Sequence, residues 1–587
     1  MPPSPRPPAH LAGLNPEQLA AVRHRGGPLL VEAGPGTGKT RVLAARAADL
    51  LSDGTARAGG MLAVTFTNQA AAEIRGRIAA WTGGTEVRVA TFHGWALAFL
   101  NEALGAAAPA PVDEADAREL CAEAAAEIGL SPAEGRRRWP EVSTGRQHHP
   151  PRLPDETLAR LAAAYEARLG RDGLTDFDGL ILHALRLLGD PGRRAALRRA
   201  LPILLVDEFQ DVSPAQYELV RAMAAPGGEV TVIGDPDQAI YGFRGASPAF
   251  MARFRRDFPG TTVVRLRQAY RCPQTFLDAA GAVLGAEAGR LRADRPERPR
   301  LEVRAFADPG AEARWIARAV EGAVGGLSHD ALDAGTAGGD RLRSLSDVAI
   351  LYRVNALADP VAAALAASGI PFQRADARSP LDHPSVRAVR RLWEAACGRR
   401  VAFHLDRLPG GRAAWEARLP GLRVELHGRS LGGALPRLLE ALDLDPRDPA
   451  LEALARVAAR IPPGADPAPA LGHPADLVAP DLEAVRLLSL HAAKGLEFPV
   501  VFVAGCEAEV LPWPGADPEE EARLFYVGLT RASERLVLCH AGRRRLHGRR
   551  LPGRPSPFLD RIPPALREAR GPAAPAGRRR PRQRTLF

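Results

Sequence analysis

A glycine-rich stretch, Ala33-Gly34-Pro35-Gly36-Thr37-Gly38-Lys39-Thr40, follows the apolar run Leu29-Leu30-Val31 and precedes the helical pattern Arg41-Val42-Leu43-Ala44-Ala45. A strand that turns through glycines into a helix leaves the helix's first N–H groups aimed at the turn, where they wrap a phosphate. In that setting the lysine reaches the β- and γ-phosphates and the Thr40 hydroxyl holds magnesium. Composition adds weight to the lysine. Of 78 basic side chains only Lys39 and Lys494 are lysines and the rest are arginine. The two mark places where a compact ammonium on a flexible stem is needed.

The same strand-then-helix alternation recurs along the chain. Strand-like runs at Leu29 to Ala33, Met61 to Thr65, Val87 to Ala90, Ile203 to Val206, Val230 to Ile233 and Thr262 to Leu266 are separated by longer Ala/Leu/Arg segments of helical period. A second set comprises Val348 to Tyr352, Arg486 to Leu490, Val500 to Ala504 and Leu536 to Leu538. This pattern predicts an α/β fold with two parallel sheets covered by helices. Residues 101 to 170 and 376 to 480 read as helical insertions, 322 to 346 as a long surface loop, and the stretch from Gly571 as a disordered Pro/Ala/Arg tail. His148-His149-Pro150 reads as loop, with no accompanying metal-ligand spacing.

Five scattered cysteines form no CxxC pair, which argues against a disulfide framework and fits a reducing cytoplasm. The N-terminus has no apolar signal region, and no run approaches about 18 apolar residues, so neither export nor a membrane is expected. Net charge is +10, but residues 541 to 587 hold 14 Arg against Asp560 and Glu568, so the remainder carries 10 − 12 = −2. A nucleic-acid path through the body is therefore a local groove, while the basic tail adds sequence-independent attraction.

Chemistry accumulates at strand ends. Val206-Asp207-Glu208-Phe209-Gln210-Asp211 follows an apolar strand, placing Asp207 to bind magnesium and Glu208 to polarise a water attacking the γ-phosphate. With the phosphate loop, this pair makes the chain resemble the superfamily 1 DNA helicases of the UvrD, Rep and PcrA type. The resemblance covers nearly the whole length, in the family's motif order. Leu14-Asn15-Pro16-Glu17-Gln18 resembles the adenine-reading motif, with Gln18 as the amide. Thr65-Phe66-Thr67-Asn68 and Thr91-Phe92-His93-Gly94 resemble DNA-contacting motifs. Gly234-Asp235-Pro236-Asp237-Gln238, continued by Tyr241-Gly242-Phe243-Arg244, resembles the segment whose glutamine senses the γ-phosphate and whose Tyr, aromatic and Arg planes face single-stranded bases.

In Gln268-Ala269-Tyr270-Arg271 the resemblance implies that Tyr270 stacks on adenine, Arg41 covers its other face and Arg271 touches the γ-phosphate. His491-Ala492-Ala493-Lys494-Gly495-Leu496-Glu497 resembles a further motif, in which His491 contacts DNA and Glu497 belongs to the ATP site. In Tyr526-Val527-Gly528-Leu529-Thr530-Arg531, Arg531 is an arginine finger across the cleft between the cores. ATP is then held by Gln18, Gly34, Gly36, Thr37, Gly38, Lys39, Thr40, Arg41, Tyr270, Arg271, Glu497 and Arg531, and Mg²⁺ by Thr40 and Asp207. Chemistry falls to Lys39, Asp207, Glu208, Gln238, Arg271 and Arg531, and DNA contact to Thr65, Phe66, Asn68, His93, Tyr241, Phe243, Arg244 and His491.

The resemblance implies two RecA-like P-loop NTPase cores, each with an inserted helical subdomain. The first core is 1–100 with 171–267 and carries insertion 101–170; the second is 268–375 with 481–570 and carries a shortened insertion 376–480. A basic tail, 571–587, follows. It also implies an ATP-dependent DNA helicase and translocase with 3′ to 5′ polarity, acting on single-stranded and tailed duplex DNA in repair or recombination. The alternatives are a translocase that strips proteins from single strands without unwinding, and an ATP-gated DNA-binding adaptor. Gln69 and Phe243 stand where the family usually has lysine and tryptophan. The end of the tail, Gln583-Arg584-Thr585-Leu586-Phe587, resembles the peptide by which bacterial repair proteins dock on the sliding clamp, a pocket that would bury Leu586 and Phe587. A nucleoid-associated cytoplasmic protein is the implied setting.

Overall fold

A computed structural model describes residues 8–295, 297–324, 344–374, 383–459 and 482–571. The chain divides into two compact units, Met1–Arg267 with Ala377–Ala479, and Gln268–Asp376 with Pro480–Phe587.

In the first unit six strands form one sheet: β1 (Leu29–Ala33), β2 (Met61–Thr65), β3 (Arg88–Thr91), β4 (Ile203–Val206), β5 (Glu229–Gly234) and β6 (Thr262–Leu266). Their order is β3-β2-β4-β5-β1-β6, and every pairing is parallel. Such a sheet is covered on both faces, so its inner strands are apolar throughout rather than alternating. Every residue of β2 and β4 is buried. Successive side chains still go to opposite faces. Leu29, Val31, Ala63 and Leu205 enter one core with Val42 and Ile74, while Leu30, Leu62, Val64 and Leu204 enter another with Phe92 and Trp95. Parallel pairing brings all the strand C-terminal ends to one edge, where open α/β sheets bind ligands.

The first insertion is built on helices Glu114–Glu127, Pro132–Arg146 and Glu156–Arg171. Gly135 lets two of these approach closely: a Cβ there would lie 2.7 Å from that of Ala125 and 2.8 Å from the Cys121 carbonyl. The described part of the second insertion is helical, from Pro384–Ala396 to Pro449–Ala458, around Val389, Trp393, Trp415 and Leu438.

The second insertion packs with the first unit. Phe403 joins the first insertion's core beside Trp139 and Tyr165. Arg390 pairs with Asp113 and, at 2.9 Å, with Asp116; Arg391 also pairs with Asp116, and Arg407 with Glu123 at 2.8 Å. Asp116 is 1% exposed and Arg390 7%. Each charge has therefore exchanged water for an opposite charge, an arrangement that fixes geometry more than it adds stability.

In the second unit seven strands, β7 (Leu301–Phe306), β8 (Val348–Tyr352), β9 (Phe372–Arg374), β10 (Val485–Ser489), β11 (Phe498–Ala504), β12 (Ala532–Ala541) and β13 (Arg567–Arg570), run in the order β9-β10-β8-β11-β12-β7-β13. Again all pairings are parallel. Beside this sheet Arg544 lies buried against Glu507, at 2.9 Å, and Glu312.

One local expectation changes, and two features go beyond the expected elements. Residues 322 to 324 close the helix Pro309–Val324 instead of opening a loop, and 325–343 lie outside the described residues. β7 joins the sheet with Glu302 and Arg304 alternating among apolar residues, and β9 and β13 join it with one apolar residue each. The stretch after β12 forms a hairpin, Arg544–Leu546 with Arg549–Leu551, and a short helix, Pro557–Arg561. The tail from 572 lies outside the described residues.

Candidate nucleotide site and nucleic-acid face

At the C-terminal end of β1 the loop runs through Gly36 (φ 68°) and Gly38 (φ 83°) into the helix Lys39–Ser52. Both glycines occupy the left-handed region that disfavours any Cβ. Gly38 has a second reason to be glycine, since a Cβ there would approach Gln18 Nε2 to 3.0 Å. Thr37 ties the loop internally, its hydroxyl donating to the Gly34 carbonyl at 2.8 Å. Gln18 ties it externally. The Gln18 amide donates to the Thr37 carbonyl at 2.9 Å and accepts from the Asn15 N–H at 3.1 Å, closing a capping box on helix Pro16–Arg23. Lys39 Nζ donates to the Ala33 carbonyl at 3.3 Å, and Arg41 to the Ala12 carbonyl at 2.6 Å.

β4 and β5 deliver acids to the same edge. Asp207 is 2% exposed and its carboxylate accepts the Glu208 N–H at 3.0 Å. Burial, then the neighbouring Glu208 charge, push its pKa up to about 7 against the opposing pull of Lys39. Asp235 is pushed up to about 6, by burial first, with Lys39 pulling down and Asp237 pushing up. One ammonium thus faces two buried carboxyls that lack enough positive charge. Hard oxygens from Thr40 and Asp207, short of a cation, suit Mg²⁺ completed by phosphate oxygens and water. Among the described residues no cluster of three or more His, Cys, Asp or Glu is arranged to hold a metal unaided.

Glu208 adopts φ 49°, ψ 43°. A non-glycine residue there is strained, and such strain concentrates where a side chain must be aimed. Two residues on, the Gln210 amide donates to Glu208 Oε2 at 2.5 Å. Gln238 donates to Asp235 Oδ2 at 2.7 Å.

Seven residues after Gly234, at Tyr241, the same connection becomes aromatic. Tyr241 stacks on Phe66 with ring centroids 5.4 Å apart and meets Phe243 at 6.0 Å, edge-on. Phe243 is 57% exposed whereas Tyr241 is 8%. The open surface of the row is therefore Phe243, with Tyr241 packed behind it. His93 meets Phe177 edge-on at 5.5 Å, and Phe177 is 37% exposed. Asn68 is exposed at the start of helix Asn68–Trp81, while the Thr65 hydroxyl is buried with no hydrogen-bond partner among the described residues. The side chain of Arg244 lies outside the described residues.

In the second unit Arg271 Nε pairs with Glu497, and the Cys272 thiol donates to the Thr530 carbonyl at 3.3 Å, so three of the recognised motifs meet. Tyr270, His491 and Lys494 are half-buried. Arg531 is 1% exposed; its guanidinium donates to the Val527 and Leu496 carbonyls at 3.0 and 2.9 Å and to the Thr530 hydroxyl at 3.3 Å.

Asp235, Gln210 and Phe177 escaped sequence reasoning as site residues. Asp235 carried a usable signal, since it follows β5 just as Asp207 follows β4. Phe177 sits at the first position of helix Phe177–Leu188, behind the capping Asp176, and only its exposure marks it.

Residues 14–259 match the family model of the UvrD/REP helicase N-terminal domain, and residues 469–542 that of the UvrD-like helicase C-terminal domain. The ATP-dependent DNA helicase UvrD2 of Mycobacterium tuberculosis (strain ATCC 25618 / H37Rv) is 32% identical over 604 residues, 95% of this chain and 82% of that protein. UvrD1 of the same strain is 32% identical over 689 residues, covering 96% and 87%. DNA helicase II of Escherichia coli (strain K12) is 30% identical over 652 residues, covering 94% and 88%. With two domain models matched in order around this phosphate loop and its acids, the chain belongs to the UvrD/Rep helicase family.

Proposed function

We propose that the protein is an ATP-dependent DNA helicase that tracks 3′ to 5′ along single strands and serves DNA repair or recombination. The observation that carries this reading is the segment from Asp235 to Phe243. Within nine residues it holds Gln238, tied to an acid under the influence of Lys39, and Phe243, exposed at the end of an aromatic row. A γ-phosphate sensed at one end of so short a segment moves the base-stacking surface at the other.

ATP is held by the 34–41 loop, with Gln18 at the base, and Thr40 and Asp207 would hold Mg²⁺. When bound, the metal would supply neutralisation of the nucleotide's phosphate charge. Glu208 takes up the proton of the attacking water. Lys39 and Gln238 contact the γ-phosphate, so its departure removes a charge that both hold. Exposed Phe243, backed by Tyr241 and Phe66, stacks on bases of any identity, which permits tracking without sequence preference. Asn68, His93, Arg244 and His491 supply the remaining contacts. Among the described residues no helix is long and apolar enough to cross a membrane. The proposed setting is the nucleoid-associated cytoplasm. Duplexes carrying a 3′ or a 5′ single-stranded tail test the reading and separate it from a stripping translocase, which the short second insertion would favour.

The tail is proposed to dock on the bacterial sliding clamp through Gln583, Leu586 and Phe587, residues outside the described part of the chain. A labelled peptide of residues 571–587 is expected to bind the clamp saturably and to lose binding at least tenfold when Leu586 and Phe587 become Ala, since such pairs carry most of a docking peptide's energy. Equal binding by both peptides removes the idea.

A further inference from the structure

Gln210 is fully buried in the turn Phe209–Asp211 that follows the acidic pair, and every polar atom of its amide is engaged. Nε2 donates to Glu208 Oε2 at 2.5 Å and to Asp211 Oδ2 at 3.2 Å; Oε1 accepts the Asp235 N–H at 3.0 Å. Chemistry dictates that orientation, since the reversed amide would set a carbonyl oxygen against two carboxylates and an N–H against an N–H. The neighbouring backbone is shaped to the same amide: a Cβ on Gly234 would lie 2.6 Å from Gln210 Oε1. Asp235 then accepts the Asp237 N–H at 3.1 Å and the Gln238 side-chain amide at 2.7 Å.

Hydrogen bonds thus tie Glu208 through Gln210 to the Asp235 backbone N–H, and the carboxylate of the same Asp235 holds Gln238. This linkage joins the residue that takes the water's proton to the residue that contacts the γ-phosphate, and it crosses from the β4 turn to the β5 turn without using the backbone between them. Glu208 needs such a hold, because its left-handed backbone is not self-supporting.

We propose that Gln210 is a positioning residue that aims the Glu208 carboxylate and couples it to Gln238, so that the base is in place only when the 235–238 turn is set by the γ-phosphate. Gln210 is fully buried with its amide engaged by Glu208, Asp211 and Asp235, and it acts through Glu208. The inference rests on the roles proposed above for Glu208 and Gln238.

The test is steady-state ATP hydrolysis by the full chain, saturated with single-stranded DNA, for Gln210→Met and Gln210→Glu. Methionine keeps the length and loses the amide, while glutamate keeps the oxygen facing Asp235 and loses the donor to Glu208. Each is expected to lower kcat about 30-fold, a share of the 10²- to 10⁴-fold that a positioned base contributes, with KM for ATP and binding of a fluorescent ATP analogue held within about twofold. In a Gln238→Ala background the same change is expected to cost less than about threefold, because residues that act as a unit are not additive. A kcat within about twofold of the parent for both variants, a fall in nucleotide affinity matching the fall in kcat, or equal costs in both backgrounds would each overturn the proposal. If Glu208→Gln itself hydrolyses ATP at the parental rate, the parent reading fails instead. A thermal melt of each variant shows which of the two remained folded, and either one suffices for the comparison.

Discussion

Glu208→Gln is expected to lower DNA-stimulated ATP hydrolysis about a thousandfold while ATP affinity changes by less than about threefold. The amide is isosteric, so it keeps the 2.5 Å approach of Gln210 to residue 208 in shape but loses the ability to accept the water's proton. ATP binding survives because the loop geometry rests elsewhere, on Gly36 and Gly38 in left-handed conformations, on Thr37 bonded to Gly34, and on Gln18 bonded to Thr37. Removing one negative charge beside Asp207 also relieves part of what pushes that buried carboxyl up to about 7. Affinity for magnesium nucleotide is therefore held or modestly changed, whereas turnover collapses. Steady-state hydrolysis together with equilibrium binding of a fluorescent ATP analogue checks both halves.

The second large effect lies away from the nucleotide. Asp176→Ala is expected to destabilise the first unit by about 3–5 kcal/mol, the usual cost of stranding a buried charge. Asp176 is 3% exposed and serves four donors: Arg146 twice, the Tyr165 hydroxyl at 3.0 Å and the Gly179 N–H at 2.7 Å. Its partner Arg146 is 2% exposed, so without Asp176 the guanidinium is left in the core beside Tyr165 with Glu166, at 3.2 Å, as its remaining ion pair. Burial alone would raise the Asp176 pKa, but Arg146 overrides it and holds the carboxyl below its ordinary value. A depressed carboxyl contributes its full stabilisation at neutral pH and loses it only as pH falls through the folded value. The replacement Arg146→Met with Asp176→Leu, which removes both charges, is expected to cost far less than Asp176→Ala alone. Calorimetric melts of the three chains at neutral pH decide it; equal losses in single and double variants would mean that the charge pair is not the cause. Since Asp176 also caps the helix that begins at Phe177, the single variant should weaken single-strand binding as well.

The contrast between these two places shows what a linear sequence reveals. The loop 33–40, the pair Asp207–Glu208 and the turn to Gln238 each sit at a strand's C-terminal end, and both their residue types and their local spacing follow from phosphate and metal chemistry. Such signals are short-range and so were legible. Parallel strands buried on both faces, such as β2 and β4, were legible for the same reason. β13, Arg567–Arg570, was not, because an exposed edge strand needs no apolar pattern. Nor could spacing show that Arg390 and Arg391 meet Asp113 and Asp116, more than 270 positions away, and thereby bring the second insertion onto the first unit. Gln210 lay within a quoted motif, yet its role depends on the Asp235 N–H of another strand's turn. Arg531 was named from its motif, but its hydrogen bond to Leu496, 35 positions away, is a tertiary fact.

The most direct measurement is ATP-dependent strand separation on matched duplexes with a 3′ or a 5′ single-stranded tail, run with the intact chain and with Lys39→Ala. Separation from the 3′-tailed duplex alone, lost in Lys39→Ala, is the predicted result. Separation only from the 5′ tail would contradict the polarity, and separation that persists in Lys39→Ala would contradict the assignment of the motor to this phosphate loop. DNA-stimulated hydrolysis with neither duplex opened would mean that the protein moves on single strands without unwinding.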